Sequence, residues 1–288
     1  MFNPEKEDNI FFPENISAKK EKEDELKEVI KISVSENLPK IDIDKESILE
    51  AKRKIDDILG EEWDLSIENI QIGIFANREE MEDFAQEKSI PLDKLTKDSA
   101  LFYINPNTQE KYVFVAKDFE KNKRMFEDIG YSENESVNFL KKGILAGVVH
   151  EMTHMHHFFE KHGNQETDNL WEQEMICNYT ENKAKGDTSK ILVEWGYINE
   201  KKIEEFTLEH GNWDSFSKEE KNAVIDYFYP FLIKEYGLDV TREIWKRLQL
   251  NSNINVAIQE VLETEPEEVV ANFKGKIKDR GYLQNILV

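Results

Sequence analysis

The segment His150-Glu151-Met152-Thr153-His154 constrains this chain more than any other feature. Apolar residues dominate positions 145–149 before it, and Met155 and Phe158 follow it, so the pattern predicts a largely buried helix. Residues four apart lie on one helix face, which points both imidazoles the same way. Polar groups inside such a helix are costly to bury unless a metal ion or polar partners satisfy them.

The spacing of the two histidines is typical of a zinc site. An H-E-x-x-H helix lets His150 and His154 bind one Zn²⁺ ion, with the carboxylate of Glu151 beside it. A carboxylate in that place can take a proton from a water molecule at the ion. The pattern also arises by chance on a helix, so a third ligand is needed to support the hypothesis.

A second helix, beginning near Trp171, offers that third ligand in Glu174. Gly163 is a plausible end for the first helix, and the short loop after it lets the two helices pack antiparallel. This packing would bring Glu174 back toward the two histidines. Asn178 lies one turn further on the same face, where we expect it to hydrogen-bond a ligating histidine.

The motif at residues 150–154, followed by Trp171, Glu174 and Tyr179, resembles the gluzincin metallopeptidases, most of all the peptidase MA-like group. In that family the third zinc ligand is the Glu of a Trp-x-x-Glu-Gly-x-Ala-x-Tyr helix, which the resemblance places at Glu174. The resemblance therefore implies a zinc-dependent hydrolase that cleaves peptide bonds in a peptide or protein substrate.

The chain departs from the family pattern at two positions of that second helix. Met175 stands where Gly is usual, and Cys177 stands where Ala is usual. Both changes concern packing rather than ligation, and Cys177 is expected to be buried as a small hydrophobic residue. Outside the two motif helices the resemblance is weak and extends over about residues 68–278.

Two other carboxylates compete with Glu174 for the metal. Glu172 points about 200° away from Glu174 on a helix, so only one of them can face the ion. Glu160 occupies the third-ligand position of a metzincin motif, but that motif requires Gly where this chain has His157. We therefore expect Glu174 to be the ligand, and His156, His157 and His162 to be surface or packing residues.

The residue that stabilises the oxyanion is harder to assign. Related enzymes use a Tyr or His on a downstream helix, and the family register falls near Asn222. Tyr227 and Tyr229 lie close by and are the candidates, although we favour a core role for both; His210 is a looser candidate. The mismatch at Asn222 leaves an alternative function open, namely a catalytically inactive zincin-fold module that binds peptides or regulates a partner.

Composition excludes several other classes of protein. The 288-residue chain has 60 acidic and 38 basic residues, a formal net charge of −22, which argues against nucleic acid as a partner. Its single cysteine rules out an internal disulfide, and no apolar run is long enough for a membrane span. We expect a cytoplasmic location if Met1 is the natural start, and an exported or anchored protein if it is not.

The predicted fold class is α+β. A small sheet with helices is expected in an N-terminal subdomain (residues 1–131), and a mostly helical subdomain (residues 132–288) is expected to carry the zinc site, with a zincin-like cleft between the two. We predict strands over residues 70–75, 100–104 and 112–116, the last two forming a hairpin. The family resemblance implies that one of these two lies at the sheet edge and binds the substrate backbone as an added strand. We predict helices over residues 18–36 and 45–59.

Overall fold

The structure is a computed structural model that describes residues 30–38, 43–59, 70–92, 100–159, 170–185, 207–208, 218–251, 253–279 and 281–282. The predicted α+β class is confirmed, with a four-stranded mixed sheet in the N-terminal half and a mostly helical C-terminal half. The strands are β1 (Lys31–Val34), β2 (Ile70–Phe75), β3 (Ala100–Ile104) and β4 (Lys111–Ala116). The helices are α1 (Lys45–Leu59), α2 (Arg78–Glu87), α3 (Phe119–Asp128), α4 (Glu133–Phe159), α5 (Leu170–Lys185), α6 (Lys218–Tyr236), α7 (Leu238–Asn251), α8 (Ile254–Leu262) and α9 (Pro266–Ile277).

The sheet has the strand order β1-β2-β4-β3. Strand β2 pairs in parallel with both β1 and β4, whereas β3 and β4 form the expected antiparallel hairpin. Asn105 closes the hairpin turn, because its side chain accepts hydrogen bonds from the backbone N–H groups of Asn107 and Thr108. In this strand order β3 and β1 are the two edge strands, and β4 lies inside the sheet.

The helix predicted over residues 18–36 is wrong where the structure describes it. Residues 31–34 form β1, which lies beside β2 with Ile32 opposite Ile72. Ile30, Ile32 and Val34 alternate with more exposed residues, which is the period-two pattern of a half-buried strand. That alternation outweighs the lysine- and glutamate-rich composition on which the helix prediction depended. Residues 18–29 lie outside the described part of the chain.

Helix α4 packs on strands β3 and β4 and contacts several other helices. Its first turn is a capping box in which the backbone N–H and hydroxyl of Ser132 both donate to Glu135, at 2.9 and 2.6 Å. A Cβ at Gly147 would lie only 3.4 Å from Val115 of β4, so the helix backbone approaches the sheet closely there. Helix α4 also packs on α1, α5 and β3.

One hydrophobic core joins the two halves of the described chain. It includes Ile72 and Val113 from the sheet, Val148 from α4, and Phe231 from α6. Helix α2 covers the opposite face of the sheet with a second, aromatic cluster around Phe114. None of the described helices is long and apolar enough to cross a membrane.

Arg242 of α7 provides a polar link between the halves. Its guanidinium donates to the backbone carbonyls of Asp57 and Ile58, at 2.6 and 2.9 Å, in the last turn of α1. Those carbonyls have no partner within their own helix, and they carry the negative end of its dipole. The cation therefore satisfies the end of α1 while holding the C-terminal helices against it.

Candidate metal centre

The two histidines of the H-E-x-x-H segment lie on one face of α4. Their Nε2 atoms are 3.0 Å apart, and the ring planes are inclined at 65°. His154 is buried, and the side chain of His150 is 14% exposed. Four residues span slightly more than one helical turn, so the side chains stack above one another and both ring nitrogens converge on one point.

Glu174 of α5 reaches the same point from the facing helix. Its Oε2 lies 3.3 Å from Nε2 of His150, and its Oε1 lies 3.2 Å from Nε2 of His154. Its side chain is 35% exposed, so this carboxylate is also the group of the three that borders solvent. The structure thus brings together the three residues that the sequence nominated as ligands.

The distances among these donors fit a zinc ion. Zinc bonds to nitrogen and oxygen of about 2.0–2.1 Å, arranged as a tetrahedron, place neighbouring donor atoms about 3.3 Å apart. The two Nε2 atoms are 3.0 Å apart, and each lies 3.2–3.3 Å from a different carboxylate oxygen of Glu174, which agrees with that spacing. Two imidazoles and a carboxylate are also a donor set that suits zinc better than magnesium or calcium.

Cys177 adds a donor that the sequence argument had assigned to packing. It is fully buried as predicted, but its Sγ also lies within 4.8 Å of a ring nitrogen of both His150 and His154. Burial raises the pKa of this thiol well above its usual value, and nearby Glu174 and Glu151 raise it further. The thiol form is therefore favoured until a metal ion binds sulfur directly. The sequence signal for this closeness of Cys177 to the histidines was its position three residues after Glu174, on the same face of the helix.

Glu151 is buried beside the two histidines, with 8% of its surface exposed. Burial raises the pKa of its carboxyl group; the histidines oppose this shift, and the negative charges of Glu174 and Glu181 add to it. A carboxylate that is made more basic in this way is better suited to accept a proton.

His150 of α4 lies between two carboxylates that both belong to α5. Glu174 lies at its Nε2, and Oε2 of Glu181 lies 2.9 Å from its Nδ1. Burial alone would lower the pKa of His150, but the hydrogen bonds to Glu174 and Glu181 outweigh it and raise the pKa to about 10. Without a metal ion, the ring therefore carries a proton on each nitrogen.

Glu181 is a site residue that the sequence argument missed. We expected Asn178 to hydrogen-bond a ligating histidine; it is half-buried on α5, and that role stays a prediction. The bond to Nδ1 of His150 comes instead from Glu181, seven residues after Glu174. Seven residues are close to two full turns, so a carboxylate at that spacing was the available signal.

Two further contacts surround the histidines. Phe102 of β3 stacks on the ring of His154, with centroids 5.8 Å apart and planes inclined at 17°. Thr153 and Thr180 meet through their hydroxyls at 2.8 Å, inside the contact between α4 and α5. The site therefore borders the edge strand on one side and rests on a buried polar contact on the other.

Tyr227 and Tyr229, the candidates for oxyanion stabilisation, are both buried members of the main core. Tyr229 packs on Tyr179, with ring centroids 5.2 Å apart, and burial strongly raises its pKa. Its hydroxyl is buried and has no hydrogen-bond partner among the described residues. This placement favours the packing alternative for Tyr229.

Several other sequence candidates cannot be placed. Glu160, His162 and His210 lie outside the described residues, and only the backbone is described at His156, His157, Glu172 and Asn222. Comparisons with protein-family models, with curated proteins and with solved structures find no match to this chain.

Proposed function

We propose that this protein is a zinc-dependent metallopeptidase of the gluzincin type, which hydrolyses peptide bonds in a peptide or protein substrate. The observation that carries the proposal is the convergence of His150, His154 and Glu174 from two helices, with donor atoms 3.0–3.3 Å apart. A chance H-E-x-x-H match does not by itself predict a carboxylate on a second helix within 3.3 Å of both Nε2 atoms.

The residues divide the chemistry between them. His150, His154 and Glu174 would hold the metal ion, and Zn²⁺ bound there would supply polarisation of the scissile carbonyl and a more acidic water molecule. Glu151 takes a proton from the attacking water and then delivers it to the leaving amine. The burial that makes Glu151 more basic also supports this role.

The edge strand β3 is the proposed docking place for the substrate backbone. An extended peptide can add to a free sheet edge as a further strand, because the edge presents unpaired backbone groups. Phe102 of this strand touches His154, so a peptide along β3 would pass next to the metal ligands. We propose that this path lies in a cleft between the sheet and the helical half.

Two observations favour an alternative, a catalytically inactive zincin-fold module that binds peptides or regulates a partner. Tyr229 is packed in the hydrophobic core, and Cys177 lies close enough to the two histidines to act as a fourth donor. A zinc ion with four protein ligands has no position left for water, as in structural zinc sites.

Replacing Glu151 by Gln separates these functions. The purified wild type should contain close to one zinc ion per chain and cleave a mixed peptide library, with a chelator abolishing cleavage. Glu151→Gln keeps the shape but removes the basic oxygen, so zinc should remain while hydrolysis falls about 10²–10⁴-fold. Glu133→Gln, an equivalent change at the exposed start of α4, should alter neither.

The readouts are metal content by elemental analysis and cleavage rates by mass spectrometry. Hydrolysis that survives unchanged in Glu151→Gln would assign the cleavage to another residue or to a contaminating protease. A wild type that binds zinc and peptides but never cleaves them would favour the regulatory module.

A further inference from the structure

We propose that Glu181 is the positioning residue for His150: it accepts a hydrogen bond from Nδ1 and so holds the ring with Nε2 directed at the metal ion. The inference builds on the proposed function, because it assigns a role around the same metal site. Glu181 does not itself touch the ion in this scheme.

The geometry gives Glu181 and Glu174 opposite sides of one imidazole. Glu181 contacts Nδ1 at 2.9 Å, whereas Glu174 contacts Nε2 at 3.3 Å. Seven residues rise about 10.5 Å along a helix, so the ring of His150 lies between two carboxylates of the same face of α5. A residue that contacts Nδ1 is on the wrong side of the ring to be a ligand alongside Nε2.

The chemistry of the side chain matters as much as its place. An ionised carboxylate only accepts hydrogen bonds, so it requires the proton of His150 to be on Nδ1. That tautomer leaves the lone pair of Nε2 free for a metal ion, and a neighbouring carboxylate makes the imidazole a stronger ligand. An amide such as Asn178 can donate as well as accept, and it would leave the tautomer undetermined.

A buried hydroxyl pair sets the register that this contact needs. Thr153 and Thr180 are completely buried, and each also lies 2.8 Å from a carbonyl of its own helix, that of Val149 or Cys177. One residue of the pair precedes His154 and the other precedes Glu181. Sliding α5 by one turn would break this pair and carry Glu181 about 5.4 Å away from the ring.

Variants of Glu181 test the proposal through metal affinity and tautomer state. Glu181→Ala should weaken zinc binding about 10–100-fold in competition with a fluorescent chelator. Glu181→Gln, whose amide oxygen can still accept, should show a smaller loss. In the zinc-loaded protein, the Nδ1–H proton of His150 should give a downfield, slowly exchanging NMR signal in the wild type and lose this pattern in Glu181→Ala, a change that a purely structural role would not produce.

Asn182→Ala on the same helix is the control for helix stability. Glu133→Gln at the exposed start of α4 is the control for the loss of one negative charge. Both variants should bind zinc like the wild type. Circular dichroism establishes that each variant is folded, and Glu181→Gln keeps the test valid if Glu181→Ala does not fold. Unchanged zinc affinity and an unchanged NMR pattern in folded Glu181 variants would overturn the proposal.

The outcomes also separate this proposal from the proposed function. If the wild type binds zinc without cleaving peptides, and the Glu181 variants bind zinc weakly, the peptidase proposal is wrong but the positioning role of Glu181 is supported. If the wild type cleaves peptides and the Glu181 variants keep full zinc affinity, the peptidase proposal is supported and the positioning role of Glu181 is wrong. A wild type that takes up no zinc overturns both.

Discussion

At the scale of a single residue, the protonation of His150 would control how the proposed site binds metal. Its pKa of about 10 lies above neutral pH, so at pH 7 the metal-free ring is protonated on both nitrogens. A metal ion can bind Nε2 only after that proton leaves. We therefore predict that zinc uptake at pH 7 releases at least about one proton per site. Calorimetry in two buffers of different ionisation enthalpy measures it, and a binding enthalpy independent of the buffer would contradict it.

Tyr229 offers a second test at this scale. Its buried hydroxyl has no partner among the described residues, which costs about 1–3 kcal/mol, and Phe keeps the ring contact with Tyr179. Tyr229→Phe should therefore leave hydrolysis unchanged and stabilise the protein by about 1 kcal/mol, measured by urea unfolding. A large loss of turnover in a stably folded Tyr229→Phe protein would instead give the hydroxyl a part in catalysis.

Cobalt spectroscopy decides whether Cys177 is a ligand. The carboxylate of Glu174 lies 3.2–3.3 Å from both Nε2 atoms, so we expect Glu174 rather than Cys177 to be the third ligand. The Co²⁺-loaded protein should then lack the intense near-ultraviolet band that arises from thiolate-to-cobalt charge transfer. Cys177→Ala should then give the same visible spectrum as the wild type, whereas Glu174→Ala should weaken cobalt binding strongly. A charge-transfer band that disappears in Cys177→Ala would show a four-ligand site and favour the non-enzymatic function.

At the scale of elements, two glycines show how tightly the sheet is packed. A Cβ at Gly73 of β2 would lie 2.6 Å from Phe75 Cζ and 3.0 Å from Phe114 Cδ1, so buried rings would have to move. Gly73→Ala should therefore destabilise the protein by about 1–3 kcal/mol in chemical denaturation.

The matched substitution in α4 should behave differently. A Cβ at Gly147 meets Val115 at 3.4 Å, which is close to ordinary contact, and Ala is favoured over Gly inside a helix by about 0.5–1 kcal/mol. Gly147→Ala should thus be neutral or slightly stabilising. Equal effects of the two substitutions would show that packing around β2 is looser than the structure indicates.

The accuracy of the element predictions followed the strength of local periodicity. Helix α1 matches its predicted range of residues 45–59, because its apolar residues recur with the period of a helix. The hairpin of β3 and β4 was also correct, since a turn sequence separates two short apolar runs. Strand β1 was missed because four residues give little periodic signal until β2 is beside them.

For the whole molecule, the metal ion would act as a bond between α4 and α5. Zinc that binds only the folded state should stabilise it by about 2.7 kcal/mol when free zinc is 100 times the Kd. We therefore predict that a chelator lowers the Tm of the wild type and that Glu174→Ala, which loses a ligand, shows little shift. A wild-type Tm that is insensitive to both zinc and chelator would count against a metal centre.

The sequence by itself determined the residues whose relation is local. The placement of His150, Glu151 and His154 follows from their spacing on one helix, and the place of Glu174 required only a second helix after a short loop. Periodicity of 3.6 residues carries this information without reference to the rest of the chain. The convergence of the donor atoms at 3.0–3.3 Å agrees with that expectation.

Only the tertiary structure decided how far α5 slides along α4, and with it which residues complete the site. That register brings Glu181 to Nδ1 of His150 and places Cys177 near the donors. The folding of the sheet likewise made β3 an edge strand and placed Phe102 against His154. The physical reason is that contacts between elements depend on the packing of many distant side chains, such as Thr153 on Thr180, and no local pattern encodes that sum.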